Sequence, residues 1–160
     1  MPAAEKLAAE NDIEIVYSTP AFEYWFQCHF PKVSRGHFAD CNAVIDALNK
    51  NWKSGSNAAY DKADVRIFNR LEAMLNTARA QALETDLFHI GTSGNARHVN
   101  PSTQVYELIA ILIGVESGDK CPLGGTWKLK GDATTTEQRK KGDKMPQHGG
   151  KAARWHLAAP

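Results

Sequence analysis

The sequence predicts a predominantly helical domain with at least one β-strand, on the strength of three observations. Apolar residues recur at helical spacing in three separate stretches, which is typical of helices that bury one face. Residues 13–17 form a β-branched and aromatic run that ends at Ser18-Thr19-Pro20, as a strand does at a turn. A chain of 160 residues with an apolar fraction of 42% is also large enough for one domain with its own core.

The first elements follow one another closely along the chain. Residues 3–10 are rich in Ala, Glu, Lys and Leu, which predicts a short helix before the strand at 13–17. Thr19 can cap a helix, and Pro20 suits a first helical position, where no N–H is needed. We therefore expect a second helix that runs from Phe22 to His29.

Three more helices are expected from apolar periodicity. The third helix is marked by Val44, Ile45, Leu48 and Trp52. The fourth and longest presents one face made of Val65, Phe68, Leu71, Leu75, Ala78 and Ala82, and a flexible connection is expected after it at residues 91–95. The last helix opens at Asn100-Pro101 and carries the stripe Val105, Leu108, Ile109 and Leu112.

Periodicity stops near Gly114, so the chain divides into residues 1–114 and 115–160. The second segment is rich in Gly, Lys and Thr and offers few core residues, which predicts a tail that is partly disordered or forms a short hairpin. Within it, residues 125–130 alternate apolar and polar side chains and predict a second strand. Either this strand or another copy of the chain should pair with 13–17, and the second case predicts a homodimer.

Overall composition excludes several classes of protein. The formal net charge of +1 gives no global electrostatic reason to bind nucleic acid or a membrane surface. No signal-peptide-like run opens the chain, and no stretch is long and apolar enough for a bilayer, so we expect a cytoplasmic protein without a membrane partner. Cys28, Cys41 and Cys121 are too widely spaced for a disulfide framework or a zinc ribbon.

Glu23 is the residue whose position alone suggests chemistry. It lies one helical turn beyond the carboxyl end of the predicted strand, where open α/β sheets place their ligands, and an acid there could bind a divalent cation. The alternative is that Glu23 complements the positive end of its helix dipole, which is worth roughly 0.3 to 1 kcal/mol. His29, near the end of the same helix, could be a proton shuttle, a metal ligand or a hydrogen-bonded core residue.

A basic run, Arg139-Lys140-Lys141, lies in the carboxyl-terminal segment. With Trp127 and Trp155 available for stacking, these residues could form a weak nucleic-acid-binding site that touches a phosphate backbone. A solvated tail explains the same charges as well. Both interpretations stay open from the residues alone.

Three segments of the chain resemble the RloB-like family of proteins. Residues 18–30, Ser-Thr-Pro-Ala-Phe-Glu-Tyr-Trp-Phe-Gln-Cys-His-Phe, are similar to its signature, in which a strand runs into Ser-Asn-Pro, then Phe-Glu-x-Trp and finally His-Phe. Tyr60-Asp61-Lys62 and residues 100–106, Asn-Pro-Ser-Thr-Gln-Val-Tyr, agree as well and follow in the family's order. Thr19 departs from the usual Asn, and Ala21 from the usual Cys. The resemblance runs roughly from Glu5 to Ile113 and corresponds to the carboxyl-terminal part of that family's domain.

The resemblance implies an α/β fold, as a helix-rich remnant of a Toprim-like domain associated with restriction and phage defence. It also implies a metal-dependent nuclease ancestry, with Mg²⁺ or Mn²⁺ as cofactor. By analogy Glu23 would be a catalytic residue and metal ligand, and His29 a catalytic residue that orients the metal site or meets the phosphate. The family's main acidic motifs lie upstream of the matching part, so we expect an incomplete metal site here, or no cofactor at all.

Three functions remain open at this point. The first is a truncated RloB-like protein of a phage-defence system that acts with a partner, either an AAA-type ATPase or a complementing Toprim half. The second is a non-catalytic accessory module that binds nucleic acid or an ATPase. The third is a decayed gene product whose exposed half-core drives self-association.

Overall fold

The computed structural model describes residues 3–11, 13–31, 33–55, 59–94, 96 and 98–158. Their architecture is mixed α/β, with helices and two antiparallel sheets, as expected. The helices are α1 (Ala3–Glu10), α2 (Glu23–Gln27), α3 (Cys41–Gly55), α4 (Ile67–Leu71), α5 (Leu75–Ser93) and α6 (Val105–Ile113). The strands are β1 (Ser18–Thr19), β2 (Ser102–Thr103), β3 (Val115–Glu116), β4 (Gly125–Leu129), β5 (Asp132–Arg139) and β6 (Arg154–Leu157).

The helical part builds its main core where α2, α3, α5 and α6 meet. The fully or nearly fully buried members of this core are Tyr24, Trp25, Cys28, Phe38, Val44, Ala78, Ala82, Leu83 and Tyr106. A smaller cluster of Leu48, Trp52 and Leu71 lies between α3 and α4. The helical spacing of these residues is what places them on one face of each helix. None of the helices in the described ranges combines the length and apolar character that a membrane crossing requires.

The strand predicted at 13–17 is wrong in position. The ladder follows this segment. Ser18 pairs with Thr103 and Thr19 with Ser102, and the Gln104 N–H extends the pairing by donating to the Tyr17 carbonyl at 2.8 Å. Ile13 is 61% exposed, and its N–H bonds back to the Ala8 carbonyl at the end of α1. High β-propensity means only that these side chains would fit the surface of a sheet. Residues 13–17 do not form a strand because, among the described residues, no neighbouring strand lies beside them.

The second helix is shorter than predicted and is not capped by Thr19. Thr19 belongs to β1 and pairs with Ser102 of β2, so it lies too early in the chain to cap the helix. The chain turns at Pro20, and Phe22 is the residue at the N-cap of α2. The longest predicted helix is divided as well, because a 3₁₀ turn at Glu72–Met74 separates α4 from α5.

The apolar face predicted for that helix holds only in its second half. Val65 is 94% exposed and Phe68 is also exposed, whereas Leu71, Ala78 and Ala82 are buried. α5 continues through Ser93, where a flexible connection was expected, and ends at Gly94 with a φ of 74°. Asn95, the last residue of that expected connection, lies outside the described residues.

The carboxyl-terminal segment contains a four-stranded antiparallel sheet in the order β3-β6-β4-β5. The strand predicted at 125–130 is confirmed as β4, but its partners are β5 and β6 and not residues 13–17. Order extends well beyond a short hairpin because the segment has its own core, made of Val115, Cys121, Trp127, Met145 and Trp155 together with Ala110 of α6. Composition alone missed this core, since its two largest side chains are the single tryptophans Trp127 and Trp155 in an otherwise polar segment.

Gly114 joins the helical part to this sheet. Its φ is 81°, and a Cβ added here would lie 2.6 Å from the Trp155 carbonyl oxygen. Only glycine fits this position, because both the left-handed backbone and the close approach of β6 exclude a side chain. The sheet is therefore packed directly against the end of α6.

Candidate functional site

The turn after β1 is the point where the three motif segments meet. The first and third segments pair through the β1–β2 ladder, and the hydroxyls of Ser18 and Thr103 are 2.7 Å apart. Both hydroxyls lie in buried or half-buried positions, so their hydrogen bond fixes the start of the turn. The chain then enters α2, whose first residue is Glu23.

Glu23 brings the second motif segment to the same place. Its side chain is buried, and its Oε1 accepts hydrogen bonds from Lys62 Nζ at 2.7 Å and from the Tyr60 hydroxyl at 3.4 Å. Lys62 itself is 69% exposed, so a buried carboxylate fixes an ammonium that remains accessible to solvent. The Glu23 carboxylate thus holds the 60–62 segment against the turn.

Tyr60 is positioned by the helices on either side. Asn49 of α3 accepts a hydrogen bond from the Tyr60 backbone N–H at 2.7 Å. The Tyr60 ring contacts Trp52 of α3 and Phe26 of α2, with centroids 5.5 Å and 5.8 Å away. Such edge and tilted aromatic contacts hold a ring in one orientation, so the phenol stays aimed at Glu23.

The pKa values of Glu23, Tyr60 and Lys62 depend on one another. Burial alone would raise the pKa of Glu23, but the hydrogen bond and the charge of Lys62 outweigh it, so that the Glu23 pKa is lowered. Burial, followed by the nearby Glu23 charge, raises the pKa of Tyr60 to about 12. The hydrogen bond to Glu23 also raises the pKa of Lys62. At neutral pH the group therefore consists of a carboxylate, an ammonium and a neutral phenol.

A divalent metal does not fit these residues by themselves. Within the described part of the chain, no group of three or more His, Cys, Asp or Glu side chains could hold a metal ion. Glu23 offers one carboxylate, and Lys62 already occupies one of its oxygens. Mg²⁺ and Mn²⁺ need several oxygen ligands, and a neighbouring ammonium opposes them electrostatically.

His29 lies on the buried side of the same segment. Its Nδ1 is 3.0 Å from the Trp25 carbonyl oxygen, and its ring meets the Trp25 ring edge-on at 4.9 Å. Burial lowers the pKa of His29, which favours the neutral imidazole. Among the contacts of the described residues none joins His29 to Glu23, so the two predicted catalytic residues do not form one group.

The basic run of the carboxyl-terminal segment is divided among different partners. Arg139 forms an ion pair with Glu137 at 2.7 Å. Lys141 reaches into the helical part, where its Nζ lies 2.9 Å from Asp86 and 2.7 Å from Glu107. Lys140 is the member of the run that stays exposed. Two of the three charges are therefore already compensated within the chain.

Sequence reasoning missed two features of this region. In the sequence, Tyr60 and Lys62 stand out only as part of the Tyr60-Asp61-Lys62 motif, because nothing in the spacing indicates that they contact Glu23. Asp86 is fully buried and accepts a hydrogen bond from the Tyr106 hydroxyl at 2.6 Å. A signal for Asp86 did exist, since it falls four residues after Ala82 on the apolar stripe of its helix, where a carboxylate needs a partner.

The three segments lie within a part of the chain that matches a known protein family. The family model described as RloB-like protein matches residues 1–112, which include all three segments that meet around Glu23. No curated protein and no solved structure matches the chain. The match covers well over half of the 160 residues, and the chain therefore belongs to the RloB-like protein family.

Proposed function

We propose that this protein is the RloB-like component of a cytoplasmic phage-defence or restriction-associated system, and that it acts on nucleic acid together with a partner. The observation that carries the proposal is the 2.7 Å contact between Glu23 and Lys62, which joins two of the family's motif segments at one surface. An exposed ammonium held in place by a buried carboxylate is a suitable contact for a phosphate oxygen.

The partner would supply the groups that this surface lacks. One carboxylate beside one lysine makes an incomplete site for Mg²⁺ or Mn²⁺, so further acidic ligands would come from an AAA-type ATPase or from a complementing Toprim half. Glu23 would then contribute to the joint site, while His29 would support the segment from its buried side.

Reconstitution tests this proposal. The chain would be purified alone and with the products of neighbouring genes, and each sample would be assayed for Mg²⁺-dependent cleavage of single- and double-stranded DNA and RNA. The proposal expects no cleavage by the chain alone and cleavage by the joint sample that Glu23→Gln abolishes. If Glu23→Gln leaves the joint activity unchanged, the assignment of this surface is wrong.

A second candidate function is a non-catalytic accessory module that binds nucleic acid or an ATPase. The ion pair with Lys62 favours it, because a carboxylate already bound to an ammonium can serve positioning alone. In that case the joint sample binds nucleic acid in a salt-dependent manner, and the partner's catalysis does not depend on Glu23. The Glu23→Gln comparison separates the two candidates.

A further inference from the structure

A cavity of about 300 Å³ lies between α5 and the loop that follows β3. Asn76 and Arg79 of α5 line one side, and the loop contributes Asp119 and Lys120. Tyr106 of α6 also lines it. The cavity forms where the family-matched part of the chain meets the carboxyl-terminal sheet, and it shares no residue with the Glu23 turn.

Arg79 is a half-buried cation in this cavity. Its Nη2 donates a hydrogen bond to the Gly114 carbonyl at 3.1 Å, and within the described ranges no carboxylate lies at ion-pairing distance from it. Burial lowers the pKa of Arg79, although Asp119 attracts the guanidinium from farther away. A guanidinium has five N–H donors, so most of the hydrogen-bonding capacity of Arg79 is available to a ligand.

Most of the other charged groups near Arg79 are paired with one another. Lys120 and Glu84 form an ion pair with each other across the cavity. Glu116, which also attracts Arg79, is bound by the Arg154 guanidinium, whose Nε donates to it at 2.6 Å. Asp119 also lines the cavity and attracts the Arg79 guanidinium, but the described ranges contain no ion pair between the two.

The remaining walls favour binding of an anion at Arg79. Ala80, Leu83 and Pro122 are apolar, and the Tyr106 hydroxyl is engaged by Asp86 rather than by the cavity. Low-dielectric walls strengthen a charge–charge contact relative to water. The Asn76 side chain adds an amide donor on the same helix, one turn before Arg79.

We propose that this cavity binds a small molecule that carries an oxyanion, with its phosphate or carboxylate group on Arg79 and Asn76. A planar guanidinium binds two oxygens of such a group at once, which gives the contact both strength and direction. The volume admits a small ligand and not a folded chain segment. The binding site is independent of the proposed action on nucleic acid.

Calorimetric titration of the full chain with inorganic phosphate, and separately with acetate, tests the proposal. The variants are Arg79→Gln and Asn76→Asp, with Arg66→Gln as a matched control because Arg66 is exposed and paired with Asp64. We expect binding of at least one anion by the wild type and by Arg66→Gln, and binding weaker by about tenfold or more in Arg79→Gln. Asn76→Asp changes an exposed position and adds a repelling charge, so it tests the site even if Arg79→Gln fails to fold.

The outcomes separate clearly. Equal binding of phosphate or acetate by wild type and Asn76→Asp, or by wild type and folded Arg79→Gln, would overturn the proposal. Absence of binding of both anions by the wild type at concentrations of tens of millimolar would overturn it as well. If a single-stranded oligonucleotide binds through Arg79 while both small anions do not, the cavity is part of a nucleic-acid surface and the small-molecule assignment is wrong.

Discussion

The Lys141 ammonium lies between the carboxylates of Asp86 and Glu107, 2.9 Å from one and 2.7 Å from the other. Asp86 is fully buried on α5, Glu107 is on α6, and Lys141 follows β5, so this contact joins the carboxyl-terminal sheet to the RloB-like part. The Tyr106 hydroxyl oxygen lies 2.6 Å from Asp86 and 3.2 Å from Glu107, and its single hydrogen is donated to Asp86 at the shorter distance. The sheet is therefore coupled to the helical part through charges as well as through Gly114.

Replacing Lys141 with Met should lower the free energy of unfolding by about 3 kcal/mol, because it leaves a buried carboxylate without its cation. The matched control is Lys140→Met, which changes the exposed neighbour and should stay within about 0.5 kcal/mol of the wild type. Urea unfolding followed by circular dichroism measures both. Equal stability of the two variants would show that the Lys141 contact does not couple the two parts.

Gly114→Ala should destabilise the protein more than Gly118→Ala. Both glycines have positive φ, at 81° and 94°, so each substitution costs about 1 to 2 kcal/mol of backbone strain. Only at Gly114 would the new Cβ also meet a backbone atom, the Trp155 carbonyl oxygen, whereas the space beside Gly118 is open. Melting temperatures of the two variants give the comparison, and an equal decrease would contradict the close packing of β6 on the end of α6.

Acid should remove the contribution of Glu23 to stability. The folded-state pKa of Glu23 is below its ordinary value of 4.5, so the stabilisation is complete above that value and is lost as the pH falls through the lowered folded pKa. Lys62 and Tyr60 face the carboxylate and do not change charge in this range. Glu23→Gln should be less stable than the wild type at pH 7, and the difference should shrink on acidification. A difference that is constant down to about pH 3 would contradict the ion pair.

Lys62→Gln should weaken nucleic-acid binding and reduce the dependence of log affinity on log salt by about one phosphate contact. Lys6→Gln is the control, since Lys6 is 74% exposed, close to the 69% of Lys62, but lies on α1. Fluorescence anisotropy of a labelled oligonucleotide at several salt concentrations measures both variants. An equal loss of affinity in both variants would mean that any surface lysine contributes by its charge, and that Lys62 at the Glu23 turn makes no specific phosphate contact.

The sequence predicts the helices far better than the contacts between distant segments. α3 matches its predicted face because a helix forms from local hydrogen bonds and its burial follows from periodicity. α6 is confirmed as a helix, but only half of its predicted stripe holds. Val105 and Ile109 pack against the core, whereas Leu108 and Leu112 are exposed, and the buried residues are Tyr106 and Ala110. The strand at 13–17 was misplaced because pairing depends on where Ser102 and Thr103 come to lie, which no local pattern reports. Family motifs indicated the Glu23 region, yet its chemistry depends on Lys62, whose partner is visible only in the folded chain.

The most direct test of the central claim is Mg²⁺-dependent nucleic-acid cleavage by the chain, alone and combined with the product of a neighbouring gene, with wild-type Glu23 and with Glu23→Gln. The account predicts that the chain alone is inactive, that the combination cleaves, and that the substitution abolishes this cleavage, because the Glu23 carboxylate is paired with Lys62 and makes only part of a metal site. Cleavage by the chain alone, or cleavage by the combination that survives Glu23→Gln, would contradict it.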